Sequence, residues 1–326
     1  MKIGINGFGR IGRTLFRLLK DHQVVGINDL SNIENLAYLL KYDSVYGILP
    51  QKVNFKKDEL LINGTKVEYF SQNNISDINW KELGADLIID SSGYEPNVID
   101  SRKCGIPVVI THGSKDVDNT LVIGVNEDSY RPDQRIISSS TCTGNCASPV
   151  LKIIHEAYGI RRGFLTSIHP VLSYQRESDF PYKKSFSLGR GAASTILTPT
   201  RVTESVCEVL PELVGKLAGI SYRVNSLIVL SIEMILELEK SATTEEINEL
   251  FKRRRNRIIC YADEPLGNLV SIDYKGDPHS AVFDPFGTYV LKGNLLRVNV
   301  WQDNEMGYAH RVLDVINLIE NNNKKI

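Results

Sequence analysis

Along the first third of the chain, apolar residues fall into short β-branched runs separated by stretches of helical periodicity, the alternation that a parallel α/β sheet requires. Lys2–Asn6 and Val24–Asn28 read as strands, and Arg10–Lys20 as the helix between them, with Ile11, Leu15, Leu18 and Leu19 on one face. Asp86–Asp90, Val108–Thr111, Leu121–Val125 and Arg135–Ser139 continue the strand pattern. Asn63-Gly64, between Leu60–Ile62 and Thr65–Phe70, has the chemistry of a two-residue hairpin turn. The sheet is therefore expected to be mostly parallel with one antiparallel excursion.

Beyond Ser140 the pattern changes. Phe164–His169, Ser221–Val224, Leu227–Leu238, Val270–Tyr274 and Leu296–Trp301 are β-rich runs, some of them longer, with fewer helical stretches between them. The C-terminal stretch returns to helical periodicity, with Val312, Leu313, Val315, Ile316 and Leu318 apolar, before a polar tail. These patterns predict an α/β fold: a Rossmann-type, doubly wound, mostly parallel sheet, plus an α+β domain with a large mixed or antiparallel sheet.

At 326 residues the chain has room for two such domains. Its 38 Lys and Arg against 39 Asp and Glu lack the basic excess of a dedicated nucleic-acid binder, so no nucleic-acid partner is expected. The opening MKIGINGFGRIGR has a Gly-rich run where a signal peptide carries an unbroken apolar stretch, and no run approaches the roughly 18 apolar residues of a membrane span. A soluble, cytoplasmic protein without a membrane partner is expected. Cys104, Cys142, Cys146, Cys207 and Cys260 are odd in number and scattered, which argues for reduced thiols over a disulfide framework.

Gly7-Phe8-Gly9-Arg10-Ile11-Gly12 follows a predicted strand and opens a predicted helix, the context that a dinucleotide fingerprint demands. Gly7 would make the tight turn, Gly9 would let backbone N–H groups approach a pyrophosphate, and Gly12 would bring helix and strand close. The second strand ends in Asn28-Asp29, twenty-two residues after Gly7, where a carboxylate would bond the adenosine ribose 2′-OH and repel a 2′-phosphate. NAD is thus favoured over NADP. The competing reading is a structural Gly-rich turn beside a solvated Asp29.

Thr141-Cys142-Thr143-Gly144-Asn145-Cys146 lies at the start of a predicted helix running through Pro149, Leu151, Ile153 and Ile154. A helix N-terminus stabilises a thiolate, so Cys142 is placed as a nucleophile with a depressed pKa, while Cys146, one turn on, is expected to be buried. No second Cys/His pair with zinc-like spacing accompanies these two, so no metal site is expected. His169 ends a predicted strand before Pro170, from where its imidazole could face Cys142 as the base that such a thiol needs. Lys252-Arg253-Arg254-Arg255 reads as the solvated face of a helix rather than a nucleic-acid patch. The irregular segment with Pro181, Lys183, Lys184 and Arg190 is long enough to suggest a functional loop.

These residues spell a family. The sequence resembles glyceraldehyde-3-phosphate dehydrogenase along essentially its whole length, through NGFGRIGR at Asn6–Arg13, IND at Ile27–Asp29, LKYDSVYG at Leu40–Gly47 and the motif at Thr141–Cys146. His169, GRGAA at Gly189–Ala193, PELVGKL at Pro211–Leu217, Tyr222-Arg223-Val224 and WQDNEMGY at Trp301–Tyr308 continue the likeness. The resemblance implies a cofactor domain over residues 1–141 and 305–326, a catalytic domain over 142–304, and a homotetramer with the Phe180–Arg190 segment among its subunit contacts. It implies NAD-dependent oxidation of a phosphorylated aldehyde, with inorganic phosphate as second substrate, in glycolysis or gluconeogenesis. Cys142 would be the nucleophile and His169 the base. Asn304 would fix the nicotinamide carboxamide with Tyr308 nearby, and Gly7, Gly9, Arg10, Ile11, Gly12 and Asp29 would hold the rest of the cofactor. Thr141, Thr200 and Arg223 would bind substrate or phosphate.

The substrate pocket departs from the family pattern. Members usually place a hydroxyl and a second polar residue shortly after the histidine, where this chain has Leu172 and Tyr174. Their Thr-Gly pair is Thr200-Arg201 here, and the loop before Gly189, where an Arg is frequent, reads Phe186-Ser187-Leu188. Arg201, Lys183 or Lys184 could replace the missing anion ligands from new backbone positions. The departures keep open an erythrose-4-phosphate-type or other aldehyde dehydrogenase with hydrolytic deacylation, and a non-catalytic NAD-binding paralogue.

Overall fold

The computed structural model describes residues 1–183, 185–263 and 268–323. The chain divides into two compact units: Met1–Leu121 with Asn126–Ser140 and the chain from Ala309, and Val122–Val125 with Thr141–Tyr308. Among the described residues no helix is long and apolar enough to cross a membrane.

The first unit is a nine-stranded sheet in the order Asn119–Thr120, Ile136–Ser138, Val108–Ile110, Leu87–Asp90, Lys2–Asn6, Gln23–Asn28, Thr65–Phe70, Glu59–Ile62, Val53–Lys56. All pairings are parallel except the last two. The central strands are fully buried at Ile3, Ile5, Leu87, Ile88 and Ile89, as strands covered on both faces must be. The excursion turns at Asn63 (φ 50°) and Gly64 (φ 87°), both left-handed as a type I′ hairpin requires, and pairs Ile62 with Thr65. The C-terminal helix Met306–Asn323 buries Val312, Val315, Ile316 and Ile319.

The second unit is a seven-stranded mixed sheet in the order Ile196–Thr198, Leu217–Val224, Ile160–Pro170, Leu230–Leu238, Leu295–Gln302, Ala281–Leu291, Ile259–Tyr261. Helices Cys142–Tyr158, Val202–Val209 and Thr244–Arg254 contact its strands. Phe251 of the third helix stacks on Phe283, with ring centroids 4.1 Å apart. The α/β class read from the pattern is what the chain adopts.

Two expected strands are absent. Leu121–Val125 is a turn, with pairing limited to Asn119–Thr120, because Gly124 takes φ 88°, which a strand cannot accommodate. Its apolar residues are buried by packing rather than by pairing. Val270–Tyr274 is likewise not a strand. Ser271–Tyr274 forms a 3-10 turn, tied by the Val270 N–H donating to Asp273 Oδ2 at 2.8 Å, so a local side-chain bond wins over β propensity.

Candidate active site

In the first unit a cleft of about 560 Å³ opens where the parallel strands end, lined by Asn6, Gly7, Gly9, Asp29, Ser92 and Asn97 among others. This is where ligands bind open α/β sheets. Gly7 has φ 86°, and a Cβ there would lie 2.4 Å from Ser92 N; one on Gly12 would lie 2.3 Å from the Gly7 carbonyl oxygen. Gly9 differs, since a Cβ there would meet no protein atom within 4 Å. Protein packing therefore does not require glycine at this position. The space it leaves lies at the start of the Arg10–Leu18 helix, which has no side-chain N-cap bond and no acidic residue in its first turn. Helix-start N–H groups that no N-cap side chain satisfies, beside open space, suit a diphosphate, so the residues present fit a dinucleotide.

Asp29 accepts the Phe8 N–H at 2.7 Å through Oδ2 and the Ser31 N–H at 2.9 Å through Oδ1, so the carboxylate also braces the glycine turn. Arg10, Ile11 and Gly12 do not line the cleft. The Arg10 side chain, grouped with the cofactor ligands on the resemblance, instead meets Asp43 at 2.6 Å and lies over Tyr46. Sequence reasoning missed the floor of the cleft. There Asn6 Nδ2 donates to Asp90 Oδ1 at 2.9 Å, Asn28 Nδ2 to Asn6 Oδ1 at 2.7 Å, and Gln72 N–H to Asn28 Oδ1 at 2.8 Å. The available signal was a polar residue ending each of three apolar strands.

In the second unit Thr141 caps the helix that Cys142 begins. Its Oγ1 accepts the Gly144 N–H at 3.0 Å and donates to Ser205 Oγ at 3.1 Å, which ties this helix to Val202–Val209. His169 stands near the end of the Ile160–Pro170 strand, in register with Arg223 on the parallel neighbour. Cys142 Sγ lies 3.8 Å from His169 Nε2, and His169 Nδ1 lies 2.7 Å from the Pro170 carbonyl oxygen. A carbonyl only accepts, so Nδ1 carries the proton and Nε2 turns its lone pair to the thiol.

Burial, with the nearby Arg223 charge adding to it, pushes His169 down to about 4. Burial pushes the Cys142 thiol up, against the Thr143 amide and Arg223, which both pull it down. The depressed thiol expected from the helix start is thus not found. The amides act in the expected direction, but desolvation outweighs them. Both shifts run toward the uncharged thiol and the neutral imidazole.

The other expected ligands divide. Arg223 donates through Nη1 to Ser221 Oγ at 3.0 Å, and its Nε is buried with no partner among the described residues. Thr200 Oγ1 accepts the Val202 N–H at 3.2 Å, and the adjoining Arg201 is exposed at the start of that helix. Lys183 is exposed, and Lys184 lies outside the described residues. Asn304 is buried and accepts the Val229 N–H at 3.1 Å through Oδ1, and the Tyr308 side chain is fully buried. Val229 has φ 72°, which no sequence signal announces, because β-branched residues avoid that region. No cluster of metal-ligating side chains occurs among the described residues.

Residues 1–97 match the NAD binding domain of glyceraldehyde 3-phosphate dehydrogenase, and residues 141–304 match its C-terminal domain. With the Rossmann sheet and its cleft, this defines an NAD-dependent oxidoreductase. The glyceraldehyde-3-phosphate dehydrogenase of Geobacillus stearothermophilus is 40% identical over 327 residues, covering 97% of each chain. Glyceraldehyde-3-phosphate dehydrogenase 1 of Bacillus cereus is 37% identical, over 96% of this chain and 97% of its own. Glyceraldehyde-3-phosphate dehydrogenase 1 of Trichormus variabilis is 38% identical, over 97% of this chain and 96% of its own. The chain belongs to the glyceraldehyde-3-phosphate dehydrogenase family.

Proposed function

We propose that the protein oxidises glyceraldehyde 3-phosphate, or a close phosphosugar aldehyde, through a covalent adduct on Cys142, and that inorganic phosphate releases the product as an acyl phosphate. The observation that carries this reading is the Cys142–His169 contact of 3.8 Å with the imidazole tautomer fixed by Pro170. As the thiol sulfur adds to the aldehyde carbon, His169 Nε2 acts as base and takes the thiol proton, so that the nucleophile and an imidazolium acid form in one step. The imidazolium then hydrogen-bonds the hemithioacetal oxyanion and keeps its proton, which returns to the Cys142 sulfur when the C–S bond breaks. NAD held in the cleft of the first unit would supply the acceptor for the hydride from the same carbon, which would leave a Cys142 thioester. Phosphate oxygen attacks that carbonyl, the C–S bond breaks, and the thiolate recovers its proton. Arg223 sits where its charge favours an anionic substrate group and opposes a standing imidazolium.

In this reading the first unit holds NAD and the second carries the acyl chemistry, which supports cofactor and catalytic domains of about residues 1–141 with 305–326, and 142–304. A cytoplasmic homotetramer is part of the proposal. Its support is one face of the second sheet, where Phe164, Ile220, Ile235, Tyr289, Leu291 and Leu295 are exposed, a patch that a further copy of the chain would cover. A second reading of deacylation, with water in place of phosphate, is favoured by Leu172 standing where the family resemblance places a hydroxyl.

The test is Cys142→Ser assayed with NAD, glyceraldehyde 3-phosphate and phosphate. Turnover should fall below about 1% of wild type, a loss of more than about 2.7 kcal/mol in barrier terms, with NAD affinity nearly unchanged. Retention of a tenth of kcat would remove Cys142 from the nucleophile role. Wild-type turnover that ignores phosphate selects hydrolysis.

A further inference from the structure

Three neighbouring strands of the first unit end in polar residues, Asn28, Asn6 and Asp90, which the parallel register sets side by side. They form one chain of hydrogen bonds under the cleft. Gln72 N–H donates to Asn28 Oδ1 at 2.8 Å, Asn28 Nδ2 to Asn6 Oδ1 at 2.7 Å, and Asn6 Nδ2 to Asp90 Oδ1 at 2.9 Å. A backbone N–H only donates, so the Gln72 end fixes the orientation of both amides, and every donor in the chain points toward Asp90.

From the other side Ser92 donates to the same Oδ1 through its N–H at 3.1 Å and its hydroxyl at 2.7 Å, and its Oγ accepts the Asn97 Nδ2 at 3.1 Å. Asn6, Asn28, Gln72, Ser92 and Asn97 line the cleft, whereas Asp90 is fully buried behind them. Its Oδ2 is buried and has no hydrogen-bond partner among the described residues. Burial pushes the carboxyl up, against the Ser92 and Asn6 donors that pull it down. The donors converging on Oδ1 favour the carboxylate and the bare Oδ2 opposes it, so what the anion lacks is a positive charge nearby.

An open parallel sheet takes the two halves of a dinucleotide on opposite sides of its switch point. Here that point is Lys2–Asn6, with Gln23–Asn28 and the adjoining Asp29 on one side and Leu87–Asp90 on the other. With the adenosine ribose at Asp29, the nicotinamide half falls to the side of Asp90 and Ser92. The nicotinamide ring is the one part of NAD with a positive charge, and it loses that charge on reduction. A carboxylate on its side of the cleft therefore acts on NAD and NADH unequally, whereas a purely structural Asp90 would treat them alike.

We propose that Asp90 is a specificity-determining residue for the oxidation state of the cofactor: its buried carboxylate favours the positively charged nicotinamide of NAD over the neutral ring of NADH, and the Asn6 and Ser92 bonds hold it in place. This selectivity depends on the dinucleotide cleft and not on the Cys142 chemistry, so binding measurements without substrate test it apart from the proposed reaction.

Titration calorimetry with NAD and with ADP-ribose, which lacks the nicotinamide, and fluorescence titration with NADH give three affinities. In wild type NAD should bind at least about fivefold tighter than NADH, the size of one charge–charge interaction inside a protein. Asp90→Asn should weaken NAD about five- to tenfold by losing that interaction, and leave NADH and ADP-ribose within about twofold. Asp90→Glu keeps the charge and should keep the ratio of the NAD and NADH affinities within about twofold of wild type, even where its longer side chain weakens both. Equal affinity of wild type for NAD and NADH overturns the proposal whether or not the variants fold. An unchanged ratio in folded Asp90→Asn also overturns it, and equal losses of NAD, NADH and ADP-ribose do so by marking a structural role. Selectivity that Asp90→Asn removes, in a protein whose Cys142→Ser variant keeps its turnover, leaves the charge site standing and sinks the Cys142 reading.

Discussion

Asn304 turns its Oδ1 to the backbone N–H of Val229, 3.1 Å away, where Val229 is held at φ 72°. A β-branched residue in the left-handed region costs about 1–2 kcal/mol, so the surrounding structure must hold it there. Val229 is buried, and the Asn304 oxygen is the partner its N–H has. With Oδ1 so engaged, the Nδ2 amide is the group left to donate to a ligand. Asn304→Ala should therefore lower stability by about 1–3 kcal/mol through the stranded N–H and raise KM for NAD. Asn304→Asp keeps the acceptor and loses the donor, so denaturant titration should show most of the stability restored while cofactor affinity stays low. Equal recovery of both properties would count against a cofactor role.

The glycines of the fingerprint separate by experiment. Gly7→Ala puts a Cβ 2.4 Å from backbone at φ 86° and should destabilise the apo protein by more than about 1–2 kcal/mol. Gly9→Ala meets nothing within 4 Å, so the apo unfolding midpoint should barely move. NAD affinity should nevertheless fall, because the methyl enters the space proposed for the diphosphate. A Gly9→Ala protein that binds NAD normally would place the diphosphate elsewhere.

Asp29 tests cofactor choice. Asp29→Ala should narrow the preference for NAD over NADP by removing a charge that repels the 2′-phosphate. It should also weaken NAD itself, since the carboxylate holds the Phe8 N–H of the glycine turn at 2.7 Å. Wild-type preference for NADP would show that Asp29 serves only the turn.

The parallel sheet, the hairpin at Asn63-Gly64 and the Cys142–His169 pair were legible because each depends on local chemistry: strand runs, left-handed turn residues, a helix start and a strand end. What was not legible depends on distant neighbours. The direction of the Cys142 pKa shift is set by how much of the fold closes over the thiol, and no motif encodes desolvation. Arg10 sits inside the fingerprint, yet Asp43, thirty-three residues on, decides where its guanidinium goes. Leu121–Val125 reads as a strand because buried turns and buried strands share composition, and only the conformation of Gly124 separates them.

The lowered His169 value gives a signed pH dependence. The folded value of His169, about 4, lies below its ordinary 6.5. Between the two the unfolded chain binds a proton that the folded chain refuses. Stability from this group therefore falls as the pH drops from about 6.5 to about 4, by up to roughly 3 kcal/mol. His169→Asn should lose less stability than wild type over that interval, measured by urea titration at pH 7 and pH 4.5. Because the Cys142 thiol is pushed up, its alkylation by iodoacetamide in the NAD-free protein should keep rising through pH 9, and His169→Asn should leave that profile nearly unchanged. A plateau by pH 7 would restore a standing thiolate–imidazolium pair.

Variants at Arg201 test the two fates proposed for the thioester. It stands exposed at the start of the Val202–Val209 helix, beside Thr200, where the family resemblance places a glycine. A guanidinium there can supply the charge that an attacking phosphate needs. Arg201→Gly should then raise KM for inorganic phosphate several-fold and spare the first-turnover NADH burst, because hydride transfer precedes phosphate attack. Arg223→Leu should do the reverse, weakening kcat/KM for the aldehyde by more than about tenfold through loss of a charge-assisted contact worth about 1.5–3 kcal/mol. If wild-type turnover does not respond to phosphate, Arg201→Gly should change nothing in the steady state, and the deacylating nucleophile is water. If phosphate stimulates wild type and Arg201→Gly equally, phosphate attack stands and its ligands lie elsewhere in the second unit.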